Sequence, residues 1–145
     1  MQTLDHNTIK SKLNPYMESR GWRREQNSHL LTMGGISDGT YINKEDKKLH
    51  VEIKSEYNDL RELWTGIGQA IRVLADEDKE LLSMLVYPKR FNERIKLVVK
   101  LINSDRLGLL AYDWDCKFTP IKDILGDGDI SWIYEIKQVE IKVNR

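Results

Sequence analysis

The stretch LHVEIKSEYNDL, residues 49–60, sets a carboxylate, Glu52, and an ammonium, Lys54, two positions apart in a strand-like run. Successive strand side chains point to opposite faces. Leu49, Val51 and Ile53 therefore share one face, and His50, Glu52 and Lys54 share the other. An isolated E-x-K is ordinarily the solvated side of a half-buried strand. It acquires chemical meaning when a second acid converges on it, and Asp38, followed by Gly39, stands thirteen intervening residues upstream. Two carboxylates aimed at one point can share a hard cation; Mg²⁺ accepts oxygen ligands at about 2.0–2.1 Å and keeps several waters. A lysine beside them can hold a water or meet charge developing on a phosphate.

Convergence needs a hairpin, and the sequence supplies one. TYIN and KLHVEIK read as two strands joined by the polar turn KEDK. A turn centred near Glu45 and Asp46 pairs residue i with 91−i or 92−i, setting Asp38 opposite Ile53 or Lys54. Glu52 and Lys54 are then its direct or diagonal neighbours, with Cβ separations of about 5–8 Å.

The remaining elements follow from periodicity and punctuation. A first helix is expected from Asn7, its cap, to Ser19, stopped by Gly21 and either kinked or divided at Pro15. A strand is expected over His29–Met33. Residues 58–75 carry Leu60, Leu63, Trp64, Ile67, Ile71 and Leu74 at the spacing of one helix face. SMLVYP is an apolar run suited to a central strand covered on both sides. A helix over 91–103, a strand LGLLAY and a long alternating strand WIYEIKQVEIKV complete the chain. The order α-β-β-β-α-β-α-β-β indicates an α/β fold with a mixed sheet flanked by helices.

Asp38-Gly39 followed by Glu52-Ile53-Lys54 resembles the PD-(D/E)xK superfamily of nucleases, which includes restriction enzymes, small Holliday junction resolvases and RecB-like nucleases. The common proline is absent; ISDGT has Ser37 before the aspartate. The resemblance implies the restriction-endonuclease-like core α-β-β-β-α-β over about residues 8–88, with 89–145 an extension of the same single domain. It implies that Asp38, Glu52 and the main-chain carbonyl of Ile53 bind Mg²⁺ or Mn²⁺. Lys54 would orient the attacking water, and the products would carry 5′-phosphates.

Family members often add a glutamate on the first helix and a glutamine on the helix after the catalytic strand. Glu18 answers to the first, as a further metal or water ligand or else as an exposed helix glutamate. Gln69, in GIGQAIRVL, answers to the second, at the border of the apolar arc beside Gly66 and Val73. Gly66 and Gly68 each cost about 1 kcal/mol of helix propensity, which points to a close approach by the helix. Arg72 and Thr65 lie further toward solvent, where they could touch phosphate. His50 shares the face of Glu52 and is either a phosphate contact or an exposed polar residue.

Other acidic patterns read as structure. Glu135-x-Lys137 and Glu140-x-Lys142 repeat the spacing, but Asp127 and Asp129 stand too close upstream for a comparable hairpin. Asp113 and Asp115 read as turn residues at a strand end. His6, His29 and His50 show no zinc-ligand spacing, and the four tryptophans read as core or interface anchors.

Composition bounds the rest. The 145 residues, 40% hydrophobic and 32% charged with zero formal net charge, describe one globular domain. Zero net charge argues against binding nucleic acid by bulk electrostatics, yet charge is segregated. Residues 1–24 hold Lys10, Lys12, Arg20, Arg23 and Arg24 against Asp5 and Glu18, and 88–106 are similarly basic. Such segregation builds either a basic face or ordinary solvated helices. No apolar run reaches the roughly 18 residues of a membrane span, and MQTLDHNTIK lacks signal-peptide character. With Cys116 the single cysteine, a cytoplasmic, reducing setting is expected. The expected partners are DNA and a second copy of the chain, with no membrane and no organic cofactor. Structure-selective cleavage of branched DNA is the leading function. The alternative is an inactive nucleic-acid-binding or protein-interaction domain; an RNA-cleaving relative would need a different catalytic set.

Overall fold

The structure, a computed structural model, describes residues 4–26, 37–55, 60–102 and 104–125. The first helix, α1 (His6–Ser19), buries Ile9, Leu13 and Met17, one residue per turn along a single stripe. Its cap is Asp5, whose carboxylate accepts from Thr8 N at 2.7 Å, rather than Asn7. Pro15 stays inside one continuous helix. The proline forfeits one backbone hydrogen bond, and buried Leu13 and Met17 anchor the helix on either side of it. Gly21, at φ 86°, turns the chain out of the helix.

Six strands form one sheet in sequential order: β1 (Trp22–Arg24), β2 (Gly39–Asn43), β3 (Lys48–Ile53), β4 (Leu82–Pro88), β5 (Leu107–Tyr112) and β6 (Phe118–Lys122). The β3–β4 and β4–β5 pairs are parallel, and the outer pairs are antiparallel. Between β3 and β4 runs α2 (Leu60–Leu74), and between β4 and β5 a short 3₁₀ turn leads into α3 (Asn92–Ile102). The order α1-β1-β2-β3-α2-β4 is the restriction-endonuclease-like core, and β5 and β6 widen the same sheet.

The expected central strand is β4, buried from Ser83 to Pro88. Two strands went unforeseen. β1 is three residues long, two of them arginine, and β6 carries Pro120, which an edge strand tolerates. The strand expected over His29–Met33 and the terminal strand over 132–143 lie outside the described residues, as do Glu135, Lys137, Glu140, Lys142 and Trp132. Asp113 closes a turn after β5, accepting from Asp115 N at 3.0 Å and Lys117 N at 2.9 Å.

Each sheet face carries its own apolar layer. Leu49, Val51 and Ile53 of β3 pack with α1 and Trp22, Tyr41, Met84 and Val86. On the other face α2 and α3 cover Leu85, Tyr87, Leu107, Leu109 and Ala111. The second face of β3 is therefore not open to water as its polar residues imply. His50 is fully buried, with Nδ1 3.0 Å from Ser37 Oγ, and Glu52 is 3% exposed. Among the described residues no helix is long and apolar enough to cross a membrane.

Candidate functional site

The hairpin brings the two acids together in a different register from the one expected. Gly39 pairs with Val51, Thr40 with His50 and Tyr41 with Leu49, so paired numbers sum to 90. One step further, Asp38 falls level with Glu52 instead of Ile53 or Lys54. The turn fixes this: the Asn43 carboxamide accepts from Glu45 N and Lys47 N, both at 3.0 Å, and Asp46 takes φ 61°.

Asp38 is gripped by backbone. Its amide donates to Val51 O at 3.0 Å, and its Oδ2 accepts from Ile53 N at 2.7 Å. Its Oδ1 lies 3.3 Å from His6 Nε2 in the first turn of α1. Glu52 projects toward α2 with its carboxyl pKa pushed up to about 8. Burial contributes most, followed by the charge of Asp38 and a hydrogen bond between the two carboxyl groups; Lys54 and Arg72 pull the other way. Such a pair is costly with both members ionised, and a divalent cation reverses that cost.

Lys54 leaves the strand end with its amide donating to Val86 O at 2.8 Å and its carbonyl accepting from Tyr112 Oη at 2.6 Å. Its stem then crosses α2 at Gly66. A Cβ on Gly66 would stand 2.6 Å from Lys54 Cε and 2.8 Å from Cγ, so the missing side chain is the path of the lysine. Gly68 has no such neighbour; nothing lies within 4 Å of a Cβ built there. One and two turns along α2, Gln69 Oε1 and Arg72 Nε are buried without a hydrogen-bond partner among the described residues. Buried polar atoms are normally satisfied, so both are fitted to a hydrogen-bonding group from outside the chain. Thr65 is exposed, its hydroxyl donating to Arg61 O at 3.2 Å.

Glu18 is not brought to this site. It lines a hollow with Trp22, Asn43 and Lys44 at the hairpin's turn end. The twelve residues from His6 to Glu18 correspond to about 18 Å of helix, and it is the N-terminal end of α1 that meets Asp38. His6 occupies the place expected for a helix acid. Sequence reasoning passed over it because the stripe of Ile9, Leu13 and Met17 fixes the buried face of α1 but not which end faces the acids. Among the described residues no cluster of three or more His, Cys, Asp or Glu groups could hold a metal. Asp38 and Glu52 offer oxygen donors, which fit a hard cation that keeps waters.

No family model matches the chain, and no curated protein sequence matches it at a significant level. Solved structures do. An fdxN element excision controlling factor protein from Anabaena variabilis superposes with TM-score 0.58 at 14% identity, covering 79% of this chain and 97% of its own. An XisH family protein from Nostoc punctiforme gives 0.57 at 17%, covering 77% and 95%. A repair endonuclease from Pyrococcus abyssi gives 0.48 at 15%, covering 78% of this chain and 49% of that one. At these identities the first two likenesses concern the fold: the chain is built on the same architecture as these proteins over nearly their whole length.

Proposed function

We propose that this protein is a Mg²⁺-dependent endonuclease of the PD-(D/E)xK type that hydrolyses DNA phosphodiester bonds, with branched DNA its preferred substrate. The observation that carries the reading is the buried Glu52 set against a backbone-anchored Asp38, with Lys54 laid through the gap at Gly66. Asp38 and Glu52 would hold the cation, joined by the carbonyl of Ile53. Once bound, that ion supplies Lewis acidity toward a phosphate oxygen and lowers the pKa of its water. Lys54 orients the attacking water and offsets charge building on the phosphorus oxygens. Gln69 and Arg72, each with an unsatisfied buried atom, would hydrogen-bond the substrate phosphate or the water that attacks it. The experiment is incubation with linear, flap and four-way-junction DNA, with and without Mg²⁺. Metal-dependent cleavage, fastest on branched DNA, is expected; full activity in excess chelator would refute the mechanism.

Two symmetric cuts in a junction call for a two-fold dimer, and light scattering with junction DNA tests for one. The segment expected to pair the subunits, 131–145, lies outside the described residues. The alternative of a non-cleaving binding domain draws on one observation: Glu52 is 3% exposed, and burial raises its pKa and so disfavours the charged form that a cation needs. DNA binding with no cleavage under Mg²⁺ or Mn²⁺ would select it.

The Gly66 gap makes a prediction of its own. Gly66→Ala gains about 1 kcal/mol of helix propensity, yet it forces the Lys54 stem aside. A displacement on the order of 1 Å at a catalytic group costs about 100-fold in rate. Melting temperature should hold or rise while cleavage falls by that factor. Unchanged cleavage would mean that the path of Lys54 is immaterial.

A further inference from the structure

From Asp38 a line of basic side chains runs along α1 to β1, the edge strand of the sheet among the described residues. His6 meets Asp38, and Lys10 follows one turn later on the same helix face. Arg24 of β1 is paired with Tyr41, whose ring lies in the α1 layer, so the arginine is on that face too. Lys10 is held below its ordinary pKa, chiefly by burial and then by the Arg24 charge, while Asp38 pulls it back. Among the described residues neither Lys10 nor Arg24 is in an ion pair. Glu25, just beyond β1, is engaged by Lys48 at 3.7 Å. Beside Arg24 the edge opens into a hollow of about 460 Å³ lined by Arg23, Arg24, Glu25, Gln26 and Ile42. The two cations repel, and among the described residues the fold keeps them together beside that hollow without an ion-pair partner for either.

We propose that Lys10 and Arg24 form a subsite for a backbone phosphodiester of the DNA strand, flanking the phosphate held at Asp38 and Glu52. The inference rests on the nuclease reading and names where the uncut part of the strand lies. A phosphate there satisfies both cations at once, and its contribution is to binding in ground and transition state alike. Loss of the pair therefore raises KM and leaves kcat nearly unchanged.

The test is fluorescence anisotropy with a labelled four-way junction and a labelled linear duplex, without divalent metal, between 50 and 200 mM salt. Lys10→Gln/Arg24→Gln should weaken binding about tenfold and flatten the plot of log K against log salt by about one to two units. Lys10→Arg, which keeps the charge, should bind as the native chain does. Lys44→Gln/Lys47→Gln, two exposed charges at the hairpin turn, should change neither affinity nor slope. Native affinity and slope in the Lys10/Arg24 variant, with DNA still cleaved by the native chain, overturns the subsite alone. Equal weakening in the Lys44/Lys47 variant shows bulk charge and also overturns it. So does a fall in kcat at constant affinity, which would mean that Lys10 merely supports Asp38. A native chain that binds no DNA overturns the nuclease reading and the subsite together.

Discussion

Glu52→Gln protein should fold, bind DNA at least as tightly as the native chain, and lose cleavage by 10²- to 10³-fold or more, the magnitude expected when one group aimed at the reacting phosphate is removed. Glutamine is the informative substitution because Glu52 is 3% exposed. Alanine there would leave a void under α2, and a loss of activity could then be a loss of packing. The amide keeps the volume, can still hydrogen-bond to Asp38, and removes only the charge that would bind a cation. Asp38→Asn makes a parallel case, since an amide oxygen can go on accepting from Ile53 N, 2.7 Å from Oδ2 in the native chain. Lys54→Ala removes a partly exposed side chain and should cost a similar factor in cleavage. In metal-free protein at neutral pH Glu52 already carries a proton, so Glu52→Gln should leave DNA affinity unchanged, whereas Asp38→Asn removes a negative charge and should tighten it. Substantial Mg²⁺-dependent cleavage by Glu52→Gln would sink the assignment.

The elements were legible where one physical signal dominated. α2 was legible through Leu60, Leu63, Trp64, Ile67, Ile71 and Leu74, although its buried stripe turns to Leu63, Ile67, Ala70 and Val73 and leaves Trp64 exposed; β4 was legible through an unbroken apolar run. The β2–β3 hairpin was legible as an element but not in register. Centring the turn one-half to one residue late shifts every pairing, because both partners move. The Asn43 carboxamide, which bonds two amides inside the turn, decides the alignment. Side-chain burial on β3 was misread for a related reason. Alternation identifies the polar face of His50 and Glu52 but does not reveal that α2 covers it. Gly66 was the better clue: a glycine in an amphipathic helix implied a close approach, and Lys54 is what approaches. His6 was hidden because it meets Asp38 only through packing of α1 on the hairpin, a contact distant in sequence.

Burial of Glu52 against Asp38 also ties stability to pH in a direction opposite to that of most carboxylates. Its pKa rises from 4.5 to about 8 on folding, so between those values the native state binds the extra proton. Stability from this group is fully present below pH 4.5 and is lost as pH rises through about 8. In metal-free protein the loss is on the order of 3 kcal/mol between pH 5 and 8, or about 5–10 °C in melting temperature for a chain of this size. Glu52→Gln cannot release that proton, so its melting temperature should overtake the native value as pH rises. A cation that displaces the proton reverses the trend. Millimolar Mg²⁺ or Ca²⁺ should stabilise the native protein strongly at pH 8, by about 2.7 kcal/mol at one hundred times Kd. At pH 5.5 it should do little, because binding must then expel the proton. Scanning calorimetry of native and Glu52→Gln protein at both pH values, with and without metal, measures all the terms. A native-minus-variant difference that ignores both pH and metal would show that Glu52 neither holds a raised proton nor meets a cation.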